Sequence, residues 1–492
     1  MDFKTIIIGA GISGIGTAIA FDKTKRGSYI ILEKANELGG TWRDSKYPGV
    51  AVDIPSFAYQ FSFEPNRRWS RLFAEGKEIH DYIKHCAKKY DVEKHIRYNT
   101  TVEKAIFNQD NDTWEVFLSD GTKLVSRYLV AATGIFHQPV TPKFKGQELF
   151  KGKAMHTAEW DESYDYKGKR VGIIGTGASA VQIVPTIAPD VKRLSVFQRT
   201  PIWVSGKNDV VFTKDRLDGF EKSPRTYRKI QWNVESSLNF MWWAMTNHKY
   251  IPFFRKVSTI PAKKNLYKQV KDKELRAKLE PTYAYGCKRP AISDVYYPAL
   301  LRDNVDLETD GIDSFTEKGI LTKKGKEIEL DFLIYSTGYK ATEKYNFPNF
   351  RVQGTGELDL ADYWEKNGYQ SYNGVGVPTF PNFFLTSGPF SFGLNWYDQL
   401  EANFHLIIRV LREAEEKGST RIDIDKTAQK KHYKWLTSKA KDSLQLSPTC
   451  TGANSYYIDA RGENSLPSVV TPMYRWVKVR LMNLKGFTFG KN

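Results

Sequence analysis

Short apolar runs that end in glycine define the first elements of the chain. Residues 3–8 (FKTIII) are rich in β-branched side chains and meet glycine at once, which predicts a buried parallel strand. The turn 9–14 (GAGISG) follows, residues 15–23 have the small residues of a helix packed on a sheet, and 29–32 (YIIL) predicts the next strand. Glu33 stands at the end of that strand. This order of strand, glycine turn, helix, strand and acid predicts a dinucleotide-binding unit.

Each glycine of the first turn has a separate physical role. Gly9 permits the tight turn, Gly11 lets the backbone approach a pyrophosphate, and Gly14 lets helix and strand pack closely. The helix N-terminus offers free N–H groups and the positive end of its dipole to the phosphates. These features together predict a bound nucleotide.

A second unit repeats this design from residue 169. Residues 169–174 predict its strand, 175–180 (GTGASA) its turn, and 194–198 its next strand. Arg199 follows the first glycine of this turn at the same separation at which Glu33 follows Gly9. An acid at this place accepts hydrogen bonds from a ribose diol, whereas an arginine suits a 2′-phosphate. The first unit therefore predicts FAD or NAD and the second NADP; the alternative for Arg199 is a surface ion pair.

The remaining segments are organised around these two units. Two apolar strands that end in Thr-Gly, 128–134 and 332–338, suit chain crossings between nucleotide-binding domains. Residues 213–285 are charged and helix-like, and their Ile-Pro pairs are expected to divide them into short helices. Alternation in 477–481 (VKVRL) predicts an edge strand.

These elements predict an α/β fold with two Rossmann-like dinucleotide-binding domains and a helical insertion in the second. The parts expected along the chain are the first part of the FAD-binding domain (1–140), the first part of the NADP-binding domain (141–212), the helical insertion (213–285), the last part of the NADP-binding domain (286–330) and the C-terminal part of the FAD-binding domain (331–492).

Composition and charge narrow the function classes. Lysines and arginines exceed acids by a net charge of +17, but they are scattered as on a solvated surface, and we expect no nucleic acid. Cys86, Cys287 and Cys450 form no CxxC pair, which disfavours a metal site and the dithiol of a disulfide reductase. Reduced thiols and a cytoplasmic location are the simplest expectation.

Apolar runs are too short to indicate a membrane protein. No window approaches the roughly 20 apolar residues of a membrane span. The most lipophilic segment is 240–245 (FMWWAM). We expect it to form a buried helix turn or a channel wall rather than a membrane contact.

Motifs spread over nearly the whole chain resemble those of one family. The most specific segment, 150–161, matches the fingerprint FxGxxxHxxxW(P/D) at every fixed position, namely Phe150, Gly152, His156, Trp160 and Asp161. The glycine turns, 39–42 (GGTW), 47–53 (YPGVAVD), 198–200 (QRT) and 287–290 (CKRP) agree with it. On these motifs the chain resembles a class B flavoprotein monooxygenase of the Baeyer–Villiger type.

The resemblance implies a reaction and roles for several residues. NADPH would reduce FAD, oxygen would add to the reduced flavin as a C4a-peroxide, and a ketone would become an ester or lactone. Arg289 matches the family's catalytic arginine, a permanent cation that stabilises anions, and Asp53 matches the acid that orients it. Lys288 matches a second contact to the 2′-phosphate. His156 is expected to be a hinge residue and Trp160 a packing residue.

The expected cofactor contacts form two groups. Those to FAD are Gly9, Gly11, Ser13, Gly14, Glu33, Gly40, Thr41, Trp42, Asp53, Tyr59, Val102 and Trp396. Those to NADP are Thr176, Gly177, Ala178, Ser179, Gln182, Arg199, Thr200 and Lys288.

Two departures from the family pattern leave the substrate open. The family's common YPGARCD reads YPGVAVD at 47–53, and Thr449-Cys450 replaces an aromatic pair before the late Gly-Ala-Asn. We expect molecular oxygen and an apolar ketone or heteroatom compound as substrates, and a monomer or weak homo-oligomer. Oxygenation of nitrogen or sulfur, NADPH oxidation to peroxide, and a non-catalytic flavoprotein sensor are the alternatives.

Overall fold

The computed structural model describes residues 1–491, apart from the side chain of Arg255, and confirms an α/β fold. Its strands are β1 Phe3–Ile8, β2 Tyr29–Leu32, β3 Ile96–Arg97, β4 Val102–Asn108, β5 Thr113–Leu118, β6 Lys123–Ala131, β7 Lys153–His156, β8 Arg170–Ile174, β9 Arg193–Phe197, β10 Val204–Ser205, β11 Ala291–Ile292, β12 Val305–Glu308, β13 Ile312–Phe315, β14 Gly319–Thr322, β15 Glu327–Glu329, β16 Phe332–Tyr335, β17 Arg351–Gln353, β18 Phe383–Leu385, β19 Arg421–Ile424 and β20 Phe487–Gly490.

The α-helices connect and cover these strands. They are α1 Ile12–Thr24, α2 Thr41–Asp44, α3 Gly76–Lys89, α4 Ala178–Ile187, α5 Lys214–Lys222, α6 Pro224–Thr246, α7 Phe253–Gln269, α8 Lys273–Leu279, α9 Tyr296–Leu300, α10 Leu360–Asn367, α11 Trp396–Glu416, α12 Lys426–Ala440 and α13 Pro472–Leu481.

Two large sheets carry the two predicted units. The first has the order β17-β4-β5-β6-β1-β2-β3, and β18 also pairs with β6. The second has the order β12-β9-β8-β16-β7, and all its pairs are parallel. Parallel strands place their carboxyl ends at one edge, and ligands bind in open α/β sheets outside that edge.

The core lies on both faces of the first sheet because successive side chains of a strand alternate. Ile7 belongs to the cluster formed with helices α1, α3 and α11, whereas Ile6 and Ile8 belong to the cluster on the opposite face. A Cβ on Gly16 of α1 would lie 2.6 Å from the Phe404 ring of α11. This close contact of two helices supports the glycine turn that precedes α1.

Two expectations about the insertion need correction. Pro252 does separate α6 from α7, but Pro261 lies inside α7, and α6 has 23 residues rather than a short span. In segment 240–245 Trp242 is buried, whereas Phe240 and Trp243 are exposed. The segment is helical as expected, but one of its faces meets solvent.

The predicted edge strand at 477–481 is wrong, because these residues belong to helix α13. The Thr471 hydroxyl accepts a hydrogen bond from the Tyr474 N–H at 3.2 Å, and Pro472 occupies the first turn. A capping threonine followed by proline is a helix start signal. The helix then buries Arg475 and Val479, one turn apart.

The return crossing between the domains comes later than the boundary predicted at residue 331. Strand β16 pairs with β7 and β8 and therefore belongs to the second sheet. The chain leaves that sheet through Ser336, Thr337 and Gly338. Among residues 1–491 no helix is long and apolar enough to cross a membrane.

Candidate active site

A single large cavity of about 1270 Å³ is lined by loops from both nucleotide-binding units. Every residue expected to contact FAD or NADP lines this cavity except Gly14. Arg289 and Asp53, the pair expected to be catalytic, line it as well. Ligand pockets usually measure about 300–1,000 Å³, so this cavity has room for more than one ligand.

The first glycine turn has the geometry that a pyrophosphate requires. Gly9 has a φ of +105°, and a Cβ on Gly14 would lie 1.8 Å from the Gly9 carbonyl oxygen, so the fold itself demands both glycines. A Cβ on Gly11 would meet only Gly40, at an ordinary 3.6 Å. Protein packing does not require glycine at position 11. Its absent side chain instead leaves the N-terminus of α1 open to a ligand, which fits FAD.

Glu33 is buried at the end of β2, and its carboxylate is held on three sides. Oε2 accepts a hydrogen bond from the Ala10 N–H at 2.8 Å, and Oε1 accepts from the Ala35 N–H at 3.0 Å. The Arg43 guanidinium completes the set with an ion pair to Oε1 at 3.0 Å. The acid is therefore fixed and neutralised by the protein itself. Arg43 had no sequence signal as a functional residue, because its partner lies outside its own motif.

The second glycine turn repeats this geometry at the end of β8. Gly175 has a φ of +114°, and a Cβ there would lie 2.3 Å from the Ser336 carbonyl oxygen. A Cβ on Gly177 would meet no atom within 4 Å, so packing does not require this glycine either. The Thr176 hydroxyl donates to the Thr200 carbonyl at 2.8 Å and joins the turn to the segment after β9. The N-terminus of α4 thus faces open space, which fits a second nucleotide.

Two cations converge beside this second turn. Burial lowers the pKa of Lys288, and the positive charge of Arg199 lowers it further. Both residues line the cavity, and Arg199 is exposed. Like charges repel each other unless an anion lies between them. The arrangement fits a phosphate group better than the surface ion pair considered for Arg199.

Arg289 and Asp53 form a bidentate ion pair on the cavity wall. Arg289 Nε donates to Asp53 Oδ2 at 2.8 Å, and Nη2 donates to Oδ1 at 2.5 Å. Burial acts to lower the pKa of Arg289, but the charge of Asp53, aided by Tyr456 and Tyr457, raises it well above its ordinary value. Arg289 is thus a permanent cation with one fixed orientation.

The loop that carries Asp53 is held by the second unit. The Tyr47 hydroxyl donates to Gln182 Oε1 at 2.9 Å, and Gln182 Nε2 donates to the Ala51 carbonyl at 2.9 Å. A Cβ on Gly49 would lie 2.4 Å from the Thr186 hydroxyl oxygen. Gln182, expected at the NADP site, therefore also joins α4 to the loop that carries Asp53.

Aromatic side chains form much of the remaining wall. Trp42 Nε1 donates to the Tyr59 hydroxyl at 3.0 Å, and the ring of Trp396 packs against Phe392 with centroids 4.9 Å apart. Val102 is buried at the start of β4. These contacts fix the rings that border the cavity.

The fingerprint segment packs beside the cavity, and none of its five motif residues lines it in the described chain. A Cβ on Gly152 would lie 2.4 Å from the Phe150 ring, which explains the glycine. His156 Nδ1 accepts from the Ala158 N–H at 3.0 Å, and burial lowers the pKa of this histidine. Its ring lies 5.9 Å from that of Tyr339, which borders the cavity.

The last two fingerprint residues have structural contacts. The Trp160 ring packs against Phe332 with centroids 6.0 Å apart, and the Asp161 carboxylate accepts from the Ser163 N–H at 3.1 Å. Phe332 begins β16, the strand that leads into the crossing at Ser336. The fingerprint thus supports the connection between the two sheets.

The C-terminal part of the chain adds residues that sequence reasoning missed. Tyr456 borders the cavity, and Tyr457 is buried near Arg289. Since the chain has 27 tyrosines, nothing in the sequence singled these out. Segment 454–458 has no local motif that marks it as a site, and tertiary packing alone brings it to the cavity.

The expectation of reduced thiols is wrong for two of the three cysteines. Cys287 and Cys450 form a disulfide, and Cys86 is free and buried. The bond joins the residue before Lys288 to the turn that leads to segment 454–458. The two cysteines are 163 positions apart in the sequence, so their spacing alone could not predict the disulfide.

Comparison with known proteins agrees with this site. Residues 6–223 match the family described as pyridine nucleotide-disulphide oxidoreductase, a range that contains neither cysteine of the disulfide. A Baeyer–Villiger monooxygenase of Pseudomonas aeruginosa is 34% identical over 458 residues, covering 92% of this chain and 85% of the relative.

Solved structures extend the likeness to the whole fold. OTEMO in complex with FAD and NADP has a TM-score of 0.86 and 26% identity, with 99% of both chains covered. Cyclohexanone monooxygenase from Rhodococcus sp. Phi1 bound to NADP+ has a TM-score of 0.87 and 26% identity, covering 100% of this chain and 99% of that one.

Two nucleotide-binding domains around one cavity define a flavoprotein oxidoreductase that uses FAD and NADP. The particular fingerprint and the relatives narrow this class further. The chain belongs to the Baeyer–Villiger monooxygenase family and is an FAD-containing, NADPH-dependent monooxygenase that inserts oxygen beside a ketone carbonyl.

Proposed function

We propose that Arg289, held by Asp53, is the catalytic cation of this monooxygenase. The supporting observation is the bidentate pair on the cavity wall, at 2.8 and 2.5 Å, which fixes a permanent positive charge toward the reaction space. FAD held in this cavity would supply the redox and oxygen chemistry, with NADPH as the reductant. Arg289 stabilises the negative charge that develops on oxygen atoms in the transition state, without itself exchanging a proton.

Asp53 acts as a positioning residue in this proposal. Its carboxylate accepts from two of the five N–H groups of the guanidinium and so fixes the plane of the group, while the other three N–H groups lie outside this pair. The Gln182 bridge to Tyr47 and Ala51 then couples the position of Asp53 to helix α4. A nucleotide bound at the N-terminus of α4 would thus influence the position of Asp53 and Arg289 through Gln182.

The charges of the two units assign the two cofactors. Arg199 and Lys288 bind the 2′-phosphate of NADPH, because two close cations are relieved by a doubly charged anion. Glu33 accepts a hydrogen bond from the FAD ribose through Oε2, which accepts from the Ala10 N–H, whereas Arg43 and the Ala35 N–H donate to Oε1. His156 and Trp160 support the domain connection and touch no reacting atom.

The substrate is an apolar ketone. Leu394, Trp396, Tyr456 and Ile458 bring apolar and aromatic surface to the cavity that contains Arg289. Such surface favours a hydrocarbon ring or chain over a charged compound. Since one structural relative is a cyclohexanone monooxygenase, cyclic ketones are the first compounds to test.

The proposal is tested with Arg289→Ala, using NADPH, a ketone panel and isotopically labelled oxygen. We expect the yield of labelled ester to fall by about 10²–10³-fold, the loss typical of one removed transition-state donor. Arg193→Ala is the matched control, because Arg193 also forms a bidentate pair, with Asp306, but lies outside the cavity lining.

The products separate this proposal from its alternatives. Ester loss with sulfoxidation equally abolished supports a shared role for Arg289, and intact sulfoxidation would favour a heteroatom oxygenase. If the parent enzyme gives no labelled ester from any ketone and only peroxide forms, the ketone assignment fails.

A further inference from the structure

Helices α6, α7 and α13 share a surface of large apolar side chains that are exposed. We call it the aromatic–basic face and define it by Phe240, Trp243, Phe253, Ile260, Met473 and Trp476. These side chains are between 43% and 72% exposed. Singly exposed apolar residues are ordinary, but a contiguous group marks a contact surface.

Contacts between the helices make this face continuous. The Phe240 ring lies 5.9 Å from Trp243 and 6.0 Å from Phe254 of α7. The Met473 N–H donates to Asn239 Oδ1 at 2.9 Å and joins α13 to α6. The three helices therefore present one surface rather than three separate patches.

The spacing within each helix directs the apolar residues to one side. On α7 the exposed residues Phe253, Val257 and Ile260 follow at i, i+4 and i+7. On α13 the exposed residues Met473, Val477 and Leu481 follow at i, i+4 and i+8, while Val479 is buried. Both helices are thus amphipathic with an apolar side turned outward.

Basic residues outnumber acids in the segments that carry the face. Residues 236–271 contain seven lysines and arginines and no acid, and residues 464–492 contain five and no acid. Lys249 and Lys263 pair with Asp442 and Glu280 from neighbouring segments. Lys256, Lys264 and Lys268 are exposed on α7. An apolar surface bordered by basic groups fits an apolar partner with anionic groups.

The reverse side of α6 contacts the active-site segment. Trp242 is buried and donates through Nε1 to the Ser468 carbonyl at 3.1 Å. A Cβ on Gly286, three residues before Arg289, would lie 3.3 Å from Met245 Cε. One helix therefore separates the aromatic–basic face from the segment that carries Lys288 and Arg289.

We propose that the aromatic–basic face binds the surface of an anionic lipid bilayer. Tryptophan and tyrosine side chains are suited to the boundary between headgroups and acyl chains, and lysines attract anionic lipid. A second copy of the chain fits less well, because two basic surfaces repel each other. The contact is interfacial, needs no spanning helix, and would place the enzyme where apolar ketones partition.

The test is vesicle flotation of the FAD-loaded, full-length enzyme. We expect binding to vesicles of phosphatidylcholine with phosphatidylglycerol, release by high salt, and little binding to phosphatidylcholine alone. Phe240→Ser with Trp476→Ser should weaken binding at least about tenfold, since burial of aromatic area is lost. Lys264→Glu should weaken it at least about fivefold, since loss of one basic charge near the membrane has about this effect and the substitution also adds an acid.

Matched controls test whether the loss of vesicle binding is specific to residues of this face. Leu149→Ser and Lys88→Glu change an exposed leucine and an exposed lysine elsewhere, and should bind as the parent does. All variants should keep the parental rate of ketone-dependent NADPH oxidation in solution, which shows that they are folded. Absence of binding to anionic vesicles would overturn the proposal, as would equal binding by parent and face variants. A salt-resistant dimer lost in Trp476→Ser would assign the face to a second copy instead.

Discussion

The two nucleotide-binding units share the geometry of their glycine turns but differ in how the charged residue after the second strand is paired. In the first, Glu33 is buried and already paired with Arg43 and two backbone N–H groups. In the second, Arg199 is exposed and its electrostatic neighbour is another cation, Lys288. One unit is electrostatically complete without a ligand, and the other is completed by an anion.

This difference matches two kinds of cofactor use. A buried site whose charges are already paired is suited to a cofactor that stays in place, because the site does not depend on a ligand to compensate a buried charge. A site with repelling cations binds a charged cofactor strongly enough to recognise it, yet exposure lets the cofactor leave. We infer that FAD is retained and that NADP exchanges.

Glu33→Ala should have the largest effect, because it removes one member of the buried Glu33–Arg43 pair and leaves the Ala10 and Ala35 N–H groups without their acceptor. Arg43 keeps its pair with the partly exposed Asp44 carboxylate. Removing one member of a buried ion pair typically lowers the free energy of unfolding by about 3–5 kcal/mol. Chemical denaturation measures this loss, and the absorbance of bound flavin reports lost FAD. Glu415→Ala is the control, since Glu415 pairs with Lys4 and Arg26 at the surface and should cost about 1 kcal/mol or less. An equal loss of unfolding free energy in Glu33→Ala and Glu415→Ala would contradict a stabilising role for the buried Glu33 pair.

Cys287→Ser should have the second-largest effect on stability. It removes the disulfide that fixes the residue before Lys288 to Cys450. Loss of a disulfide typically lowers the free energy of unfolding by about 2–5 kcal/mol. Denaturation with and without reductant measures it, and reduction should destabilise the parent and Cys86→Ser but not Cys287→Ser. If reductant has no effect on the parent, the bond does not contribute to its stability.

Arg199→Glu makes the charge of the second unit resemble that of the first. A hydrogen bond to a charged group contributes about 1.5–3 kcal/mol, so kcat/KM for NADPH should fall about 10- to 100-fold. The value for NADH should change little, because NADH lacks the 2′-phosphate. Lys192→Glu, an equal charge change on the exposed turn before β9, serves as the control. An equal loss with both coenzymes would argue against phosphate recognition.

The smallest effect is a shift in pH dependence. Since burial and Arg199 lower the pKa of Lys288, KM for NADPH should rise with pH below the ordinary lysine range. Arg199→Ala removes the positive charge beside Lys288 and should move the rise in KM to higher pH. Lys288→Arg should abolish the rise, because arginine stays charged over this range. In the cofactor-free protein the unfolded state binds the proton more tightly, so Lys288 adds stability as pH rises through its lowered pKa. An unchanged profile in Lys288→Arg would show that another group titrates.

Local patterns predicted the nucleotide-binding elements closely. Strands β1 and β2 were predicted to the residue, because a short β-branched run bounded by glycine has few other conformations available. Helix α13 was missed because five alternating residues also match a helix, and its start signal lay outside them. The Cys287–Cys450 pair and Tyr456 were missed because their neighbours come from distant parts of the chain.

The sequence by itself determined the two units, their opposite charges and the family, since turn geometry and motif spacing act within a few residues. Only the tertiary structure decided that Arg43 neutralises Glu33, that Lys288 lies beside Arg199, and that α6 and α13 expose one apolar surface. These are contacts between segments far apart in sequence, and they depend on how the sheets and helices pack.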